Sequence, residues 1–174
     1  MTTNDTIFSM KNKFAVSCCF LLFSLICSGE QVPLWPEGKI PNFQSQQIAA
    51  STKEVKQAGF NREEHTMPYI EWFDAPTEKN GACMLLISGG GYKNCCDWWW
   101  IEQVAKKFTN LGYVCVSLTY RTPRPLGLPI YQSGWQDGQR AVRLVRQSAK
   151  KRGFDPEKIG ILGFSAGGHL TVLL

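Results

Sequence analysis

Three stretches of this chain are apolar almost without interruption, and each ends in small residues or a turn. Ala82-Cys83-Met84-Leu85-Leu86-Ile87-Ser88 runs into three glycines. Tyr113-Val114-Cys115-Val116-Ser117-Leu118-Thr119-Tyr120 follows Gly112, and Lys158-Ile159-Gly160-Ile161-Leu162-Gly163 follows an Asp155-Pro156 turn. Their length and their lack of polar alternation predict strands buried on both faces. Tyr69-Ile70-Glu71-Trp72-Phe73 is a shorter strand candidate before them. Between the strands the period changes. Helical signal runs from about Trp99 to Asn110. A longer helix is expected from about Ser133 to Arg152, with Trp135, Val142, Val145 and Ala149 on its apolar face and Gly153 to end it. Ala166 onward reads as another helix.

Buried strands separated by helices predict an α/β fold: a mostly parallel sheet with helices on both faces. In such sheets, sites form where the carboxyl ends of strands meet the loops that follow. Two glycine-rich turns fall there, Ser88-Gly89-Gly90-Gly91-Tyr92 and Gly163-Phe164-Ser165-Ala166-Gly167.

The second turn fits G-x-S-x-G between a buried strand and a helix. A serine on so sharp a turn projects its hydroxyl above the sheet, and only very small neighbours avoid collision with it. Ser165 is therefore the candidate nucleophile. The helix behind it aims N–H groups and a positive dipole end at an oxyanion forming there. Ala166 is expected to supply one backbone donor, and Gly90 and Gly91 the others. Tyr92 borders the same site and is a candidate substrate contact. A Gly-Gly-Gly run alone is weak evidence; paired with the serine turn, in this order, it points to acyl transfer.

These residues carry a family resemblance. Ser88 to Tyr92 is similar to the HGGG-type loop of esterases and lipases, with serine in place of histidine. Gly163-Phe164-Ser165-Ala166-Gly167-Gly168-His169-Leu170 resembles the nucleophile elbow of α/β-hydrolase esterases related to feruloyl and acetylxylan esterases (the BD-FAE type). Leu34-Trp35-Pro36-Glu37-Gly38 resembles the segment that opens many secreted members, and Tyr120-Arg121 and the helix near Asp137 also fit. The resemblance covers about Leu34 to the end. It implies an α/β-hydrolase fold that stops after the nucleophile elbow, and hydrolysis of carboxylic esters such as acetyl or feruloyl groups on plant polysaccharides.

In this fold the acid and the base follow the serine, in the order Ser, Asp or Glu, His. Only nine residues follow Ser165, so these groups are expected further along a longer gene product, and the chain alone is expected to be nearly inactive. His169 stands four residues after Ser165, where a packed, hydrogen-bonded role is expected. His65 lies in a polar stretch, and Asp137 reads as a helix-start residue. Two other readings stay open: a serine peptidase on the same fold, and a short non-catalytic protein that binds a carbohydrate or a partner.

At the N-terminus, Lys11 and Lys13 precede an apolar run from Phe14 to Ile26, followed by Cys27-Ser28-Gly29. This pattern predicts a secretory signal peptide over residues 1–29, with Met10 as an alternative start and a product that is secreted or periplasmic. The run is too short for a comfortable membrane span, so none is expected after cleavage. Residues 30–174 then form the N-terminal portion of one hydrolase domain.

Composition changes this picture little. The formal net charge of +5 has no basic stripe interleaved with aromatics, so nucleic acid is not an expected partner. Lys150, Lys151 and Arg152 sit where cations complement a helix end. Of seven cysteines, three leave with the signal segment. Cys83 and Cys115, inside strands, are expected as buried free thiols. Cys95-Cys96 has no second CxxC or His pair, so no metal site is implied. No nucleotide-cofactor motif is present, and no cofactor is expected. Trp98-Trp99-Trp100 reads equally as an aromatic wall for substrate and as packing at a helix start.

Overall fold

The computed structural model describes residues 29–43, 67–75, 78–95, 98–122 and 126–174. Residues 1–28 of the expected signal peptide, and His65, lie outside the described residues. Among the described residues there are five strands and three helices: β1 (Glu30–Pro33), β2 (Tyr69–Phe73), β3 (Cys83–Ile87), α1 (Trp98–Thr109), β4 (Val114–Thr119), α2 (Gln132–Arg152), β5 (Ile159–Gly163) and α3 (Ala166–Leu173). They form one sheet in the order β1-β2-β4-β3-β5. β4, β3 and β5 are parallel, whereas β1 pairs antiparallel with β2 and β2 antiparallel with β4. The sheet is thus mixed, parallel in the half that carries the two glycine turns.

The apolar runs are buried on both faces because alternate side chains enter two separate cores. Cys83, Leu85, Ile87, Val114, Val116 and Leu118 pack under Ala141, Val145 and Ala149 of α2 and Leu170 of α3. Leu86 and Cys115 point the other way, onto Ile101 and Ala105 of α1. Helix α2 ends at Gly153, whose φ of 73° is left-handed and whose N–H donates to the Ala149 carbonyl. Every residue of β5 is only half-buried, since it is the last strand of the described sheet.

Two elements differ from the sequence reading. The apolar pattern marks no strand before Tyr69, but residues 30–33 pair with β2, Glu30 opposite Trp72 and Pro33 opposite Tyr69. Arg152 does more than complement a helix dipole. It is ion-paired with Glu30 and with Asp74, and its guanidinium lies 4.6 Å from the centre of the Trp72 ring. These contacts clamp α2 to the outer strands. Among the described residues no helix is long and apolar enough to cross a membrane.

Candidate active site

Gly163 ends β5 and Ala166 begins α3, so Phe164 and Ser165 alone make the turn. The Phe164 N–H donates to the Ile87 carbonyl at 3.0 Å, carrying the β3–β5 pairing one residue past the strand, and the Gly167 N–H closes the turn on the Phe164 carbonyl at 2.8 Å. Ser165 is left at φ 53° and ψ −116°, a region that residues with a Cβ rarely adopt. Its side chain is exposed. Glycine is required on either side. A Cβ on Gly163 would collide with the Gly167 carbonyl oxygen and Thr171 Oγ1, and a Cβ on Gly167 would collide with the carbonyl oxygens of Ile87 and Ser88. The helix therefore sits directly on the carboxyl end of β3.

The glycine loop leaves β3 beside this turn. A Cβ on Gly89 would lie 2.9 Å from the Phe164 carbonyl oxygen and 3.0 Å from Ser165 Cβ, so loop and elbow are in contact. Gly90, Gly91 and Tyr92 all have positive φ, at 125°, 61° and 60°. The Gly90 carbonyl turns back to accept from the N–H groups of Lys93 and Asn94. The N–H groups of Gly90, Gly91 and Ala166 donate to no hydrogen bond among the described residues, and the Ser165 hydroxyl has no partner there.

Two tyrosines fix this loop. Tyr120, fully buried just past β4, directs its hydroxyl at the carbonyls of Ser88 and Gly89, at 3.3 and 3.4 Å. Tyr92, 5% exposed, places its hydroxyl 3.2 Å from the Ala166 carbonyl and 2.8 Å from His169 Nδ1. The Tyr92 side chain thus faces the protein rather than an open substrate site. Burial pushes its hydroxyl above the ordinary phenol range, so it stays protonated.

Other expected features also find their places. His169 is exposed; its N–H caps back to the Ser165 carbonyl, and its ring lies edge-on to Tyr92 and Tyr131. It is not hydrogen-bonded to the Ser165 hydroxyl. Asp137 is not a helix-start residue. It lies inside α2, wholly buried, and takes hydrogen bonds from Arg121 and from Trp35 Nε1 at 2.8 Å. Arg121 follows Tyr120, so this network anchors the end of β4 below the site. The sequence offered both residues only as parts of the family resemblance; their pairing with each other was not visible in the local pattern of charges. Trp100 stacks edge-on against Phe164 with centroids 4.0 Å apart, beside the elbow. Among the described residues, no group of three or more His, Cys, Asp or Glu is placed to hold a metal ion.

A mixed sheet in this order, with a strained serine between β5 and a helix and a glycine loop after β3, defines the fold of the α/β-hydrolases. The chain belongs to the BD-FAE family, whose profile matches residues 72–174. It is 41% identical over 88 residues, 51% of this chain and 14% of the relative, to endo-1,4-beta-xylanase B of Butyrivibrio fibrisolvens. Over 38 residues, 22% of this chain and 8% of the relative, it is 47% identical to the acetylxylan esterase of Xylanibacter ruminicola. Among solved structures, the acetyl ester-xyloside bifunctional hydrolase of Caldicellulosiruptor lactoaceticus superposes with a TM-score of 0.60 at 29% identity, over 85% of this chain and 47% of that one. Esterase 2 of Thermogutta terrifontis, phosphonylated by sarin, superposes with a TM-score of 0.52 at 26% identity, over 60% of this chain and 38% of that one. The chain thus spans less than half the length of these solved relatives, and a small share of the curated ones.

Proposed function

We propose that this chain carries the nucleophile half of an exported serine carboxylic-ester hydrolase that acts on acetyl or feruloyl esters of polysaccharides. The observation that carries the reading is Ser165: exposed, strained and, among the described residues, with no partner for its hydroxyl, next to the Gly90, Gly91 and Ala166 N–H groups, which donate to no hydrogen bond there. Its hydroxyl oxygen attacks the ester carbonyl carbon while its proton passes to a general base. The carbonyl electron pair moves onto oxygen, and the N–H groups of Gly90, Gly91 and Ala166 stabilise that charge. Collapse of the tetrahedral species breaks the bond to the alcohol, which leaves with the proton from the base. Water then repeats the sequence on the acyl-serine and frees the acid. His169 is committed to Tyr92, so the base is assigned to the part of the hydrolase that this chain does not span.

The substrate class is supported by the named activities of the xylanase and acetylxylan esterase relatives. Export is supported by Lys11, Lys13 and the apolar run from Phe14 to Ile26.

The test uses protein expressed from the complete gene, treated with a fluorophosphonate and digested for mass spectrometry. The adduct is expected on the peptide that contains Ser165, with release of acetate from acetylated xylan and no cleavage of aminoacyl anilides. An unmodified Ser165, under conditions that label a control esterase, overturns the proposal. Anilide cleavage without ester cleavage replaces it with a peptidase.

A further inference from the structure

Tyr92 is the residue that the ester-hydrolase reading leaves without a task. It has three properties that seldom coincide. It follows Gly90 and Gly91 directly, so it moves with the loop that carries two of the three backbone donors. It holds a φ of 60°, where glycine would be unstrained, although it carries one of the largest side chains available. It is 5% exposed, and its hydroxyl reaches across to α3, to the Ala166 carbonyl at 3.2 Å and His169 Nδ1 at 2.8 Å. Ala166 supplies the third donor. The two segments that must converge on one oxyanion are therefore joined by a single phenol.

We infer that Tyr92, held by His169, is a positioning residue for oxyanion stabilisation: its hydroxyl locks the glycine loop to the first turn of the nucleophile helix, so that the Gly90, Gly91 and Ala166 N–H groups hold one geometry. This inference rests on the ester-hydrolase reading of the site. The hydrogen-bond accounting closes in one way. A phenol has one proton to give. It donates that proton to the Ala166 carbonyl and accepts one from His169, whose Nδ1 then carries hydrogen. Both contacts are thereby satisfied at once, with His169 either neutral or charged. The ring is held as firmly as its tip, packed 5.9 Å from Tyr120 and edge-on to His169 at 6.1 Å. Tyr120 in turn holds Ser88 and Gly89. The loop is thus tied down at both ends by phenols, one to the sheet and one to the helix. Its three positive-φ residues between and beside those ties would otherwise have other turns open to them.

The experiment is a double-mutant cycle in protein expressed from the complete gene. Tyr92→Phe keeps the ring and its packing and removes only the hydroxyl. His169→Leu removes the partner at an exposed position. His169→Asn keeps an N–H donor close to the place of Nδ1. Steady-state hydrolysis of p-nitrophenyl acetate, thermal unfolding and fluorophosphonate labelling are measured for each. Tyr92→Phe is expected to lower kcat about 10- to 100-fold with KM changed less than about 2-fold, because misaligned donors weaken the transition state and not substrate binding. His169→Leu is expected to lower kcat less, His169→Asn to restore most of it, and the double variant to be no slower than Tyr92→Phe. A purely structural role would lower the unfolding temperature and the active fraction, not the kcat of each labelled site. Wild-type kcat in Tyr92→Phe, or additive losses in the double variant, overturns the inference and leaves the hydrolase reading standing. Should Tyr92→Phe not fold, unchanged kcat in His169→Leu overturns it. Wild-type protein that neither labels at Ser165 nor hydrolyses esters overturns the hydrolase reading itself.

Discussion

Arg121 closes on Asp137 in the interior, with Arg121 Nε 2.9 Å from Oδ2 and Nη2 2.9 Å from Oδ1, where the carboxylate is wholly buried and the guanidinium 7% exposed. The carboxylate also accepts from the Arg121 backbone N–H at 2.9 Å and from Trp35 Nε1 at 2.8 Å. Arg121 continues to the carbonyls of Pro41 and Ser133 and to Gln136 Oε1. Three separate parts of the chain meet here: the segment after β1, the end of β4 and the first turns of α2. Burial raises the Asp137 carboxyl above its ordinary range, against the pull of the guanidinium and the hydrogen bonds.

Removing one partner of such a pair is costly because the other is left buried and uncompensated. Asp137→Ala is expected to destabilise the protein by about 3–5 kcal/mol in urea unfolding. The double replacement Arg121→Met with Asp137→Leu is expected to cost much less than the single change, because it leaves no stranded charge. Equal losses in the single and double variants would mean that packing of Trp35, and not charge, holds this junction.

The strain at Ser165 makes a second prediction. Alanine retains the Cβ that clashes at φ 53° and ψ −116°, and glycine does not. Strain of this kind costs roughly 1–3 kcal/mol, against about 1 kcal/mol of extra chain entropy lost by glycine on folding. Ser165→Gly is therefore expected to be about 1 kcal/mol more stable than Ser165→Ala, while both lose fluorophosphonate labelling. Urea unfolding of the pair decides it, and equal midpoints would show that the elbow is relaxed.

Much of this was legible in the chain. Uninterrupted runs such as Ala82–Ser88 announced strands between two cores, because only a doubly covered strand tolerates Met84 and Leu85 side by side. Gly153 ended α2 as expected. The elbow was readable because its chemistry excludes side chains: Gly163 and Gly167 face backbone oxygens that cannot move aside. What stayed hidden depends on long-range partners. β1 is only four residues long, and its pairing is set by β2, about forty residues away in sequence. Asp137 carries the same letter whether it starts a helix or lies at its buried face. Tyr92 looked like a substrate contact because the loop position suggested an opening, and the register of the loop turned its ring inward.

The same glycines carry a third prediction. At Gly167 the neighbours that a Cβ would meet are main-chain carbonyls of Ile87 and Ser88, and sheet backbone yields far less than a side chain. Gly167→Ala is expected to push α3 away from β3 and to destabilise the protein by about 1–3 kcal/mol, the usual range for overpacking. Gly91→Ala, where nothing lies within 4 Å of the added Cβ, is expected to register only the backbone strain of its φ of 61°. Thermal unfolding of the two variants separates crowding from strain.

Two buried strand thiols make the last prediction. Cys83 and Cys115 are free, fully buried and in adjacent strands, and burial pushes each thiol up to about 12 from an ordinary 9.0. For Cys83 the nearby Cys115 adds to the shift. Neither forms a thiolate in the folded protein at pH 8, so iodoacetamide is expected to leave both unmodified until urea unfolds the chain. Half-buried Cys95 is expected to react before them. The same shifts fix the direction of an alkaline effect. Between pH 9 and about 12 the unfolded chain releases these protons and the folded protein keeps them. Stability contributed by the protonated thiols is then complete below pH 9 and falls with rising pH, by up to about 1.4 kcal/mol per pH unit for each thiol. Lysines and tyrosines also titrate in this window, so the comparison must be with Cys83→Ala and Cys115→Ala. The wild-type advantage over each variant is expected to shrink from pH 9 to pH 11 in urea unfolding. An advantage that stays constant would place the thiols in a wetter environment than two packed cores allow.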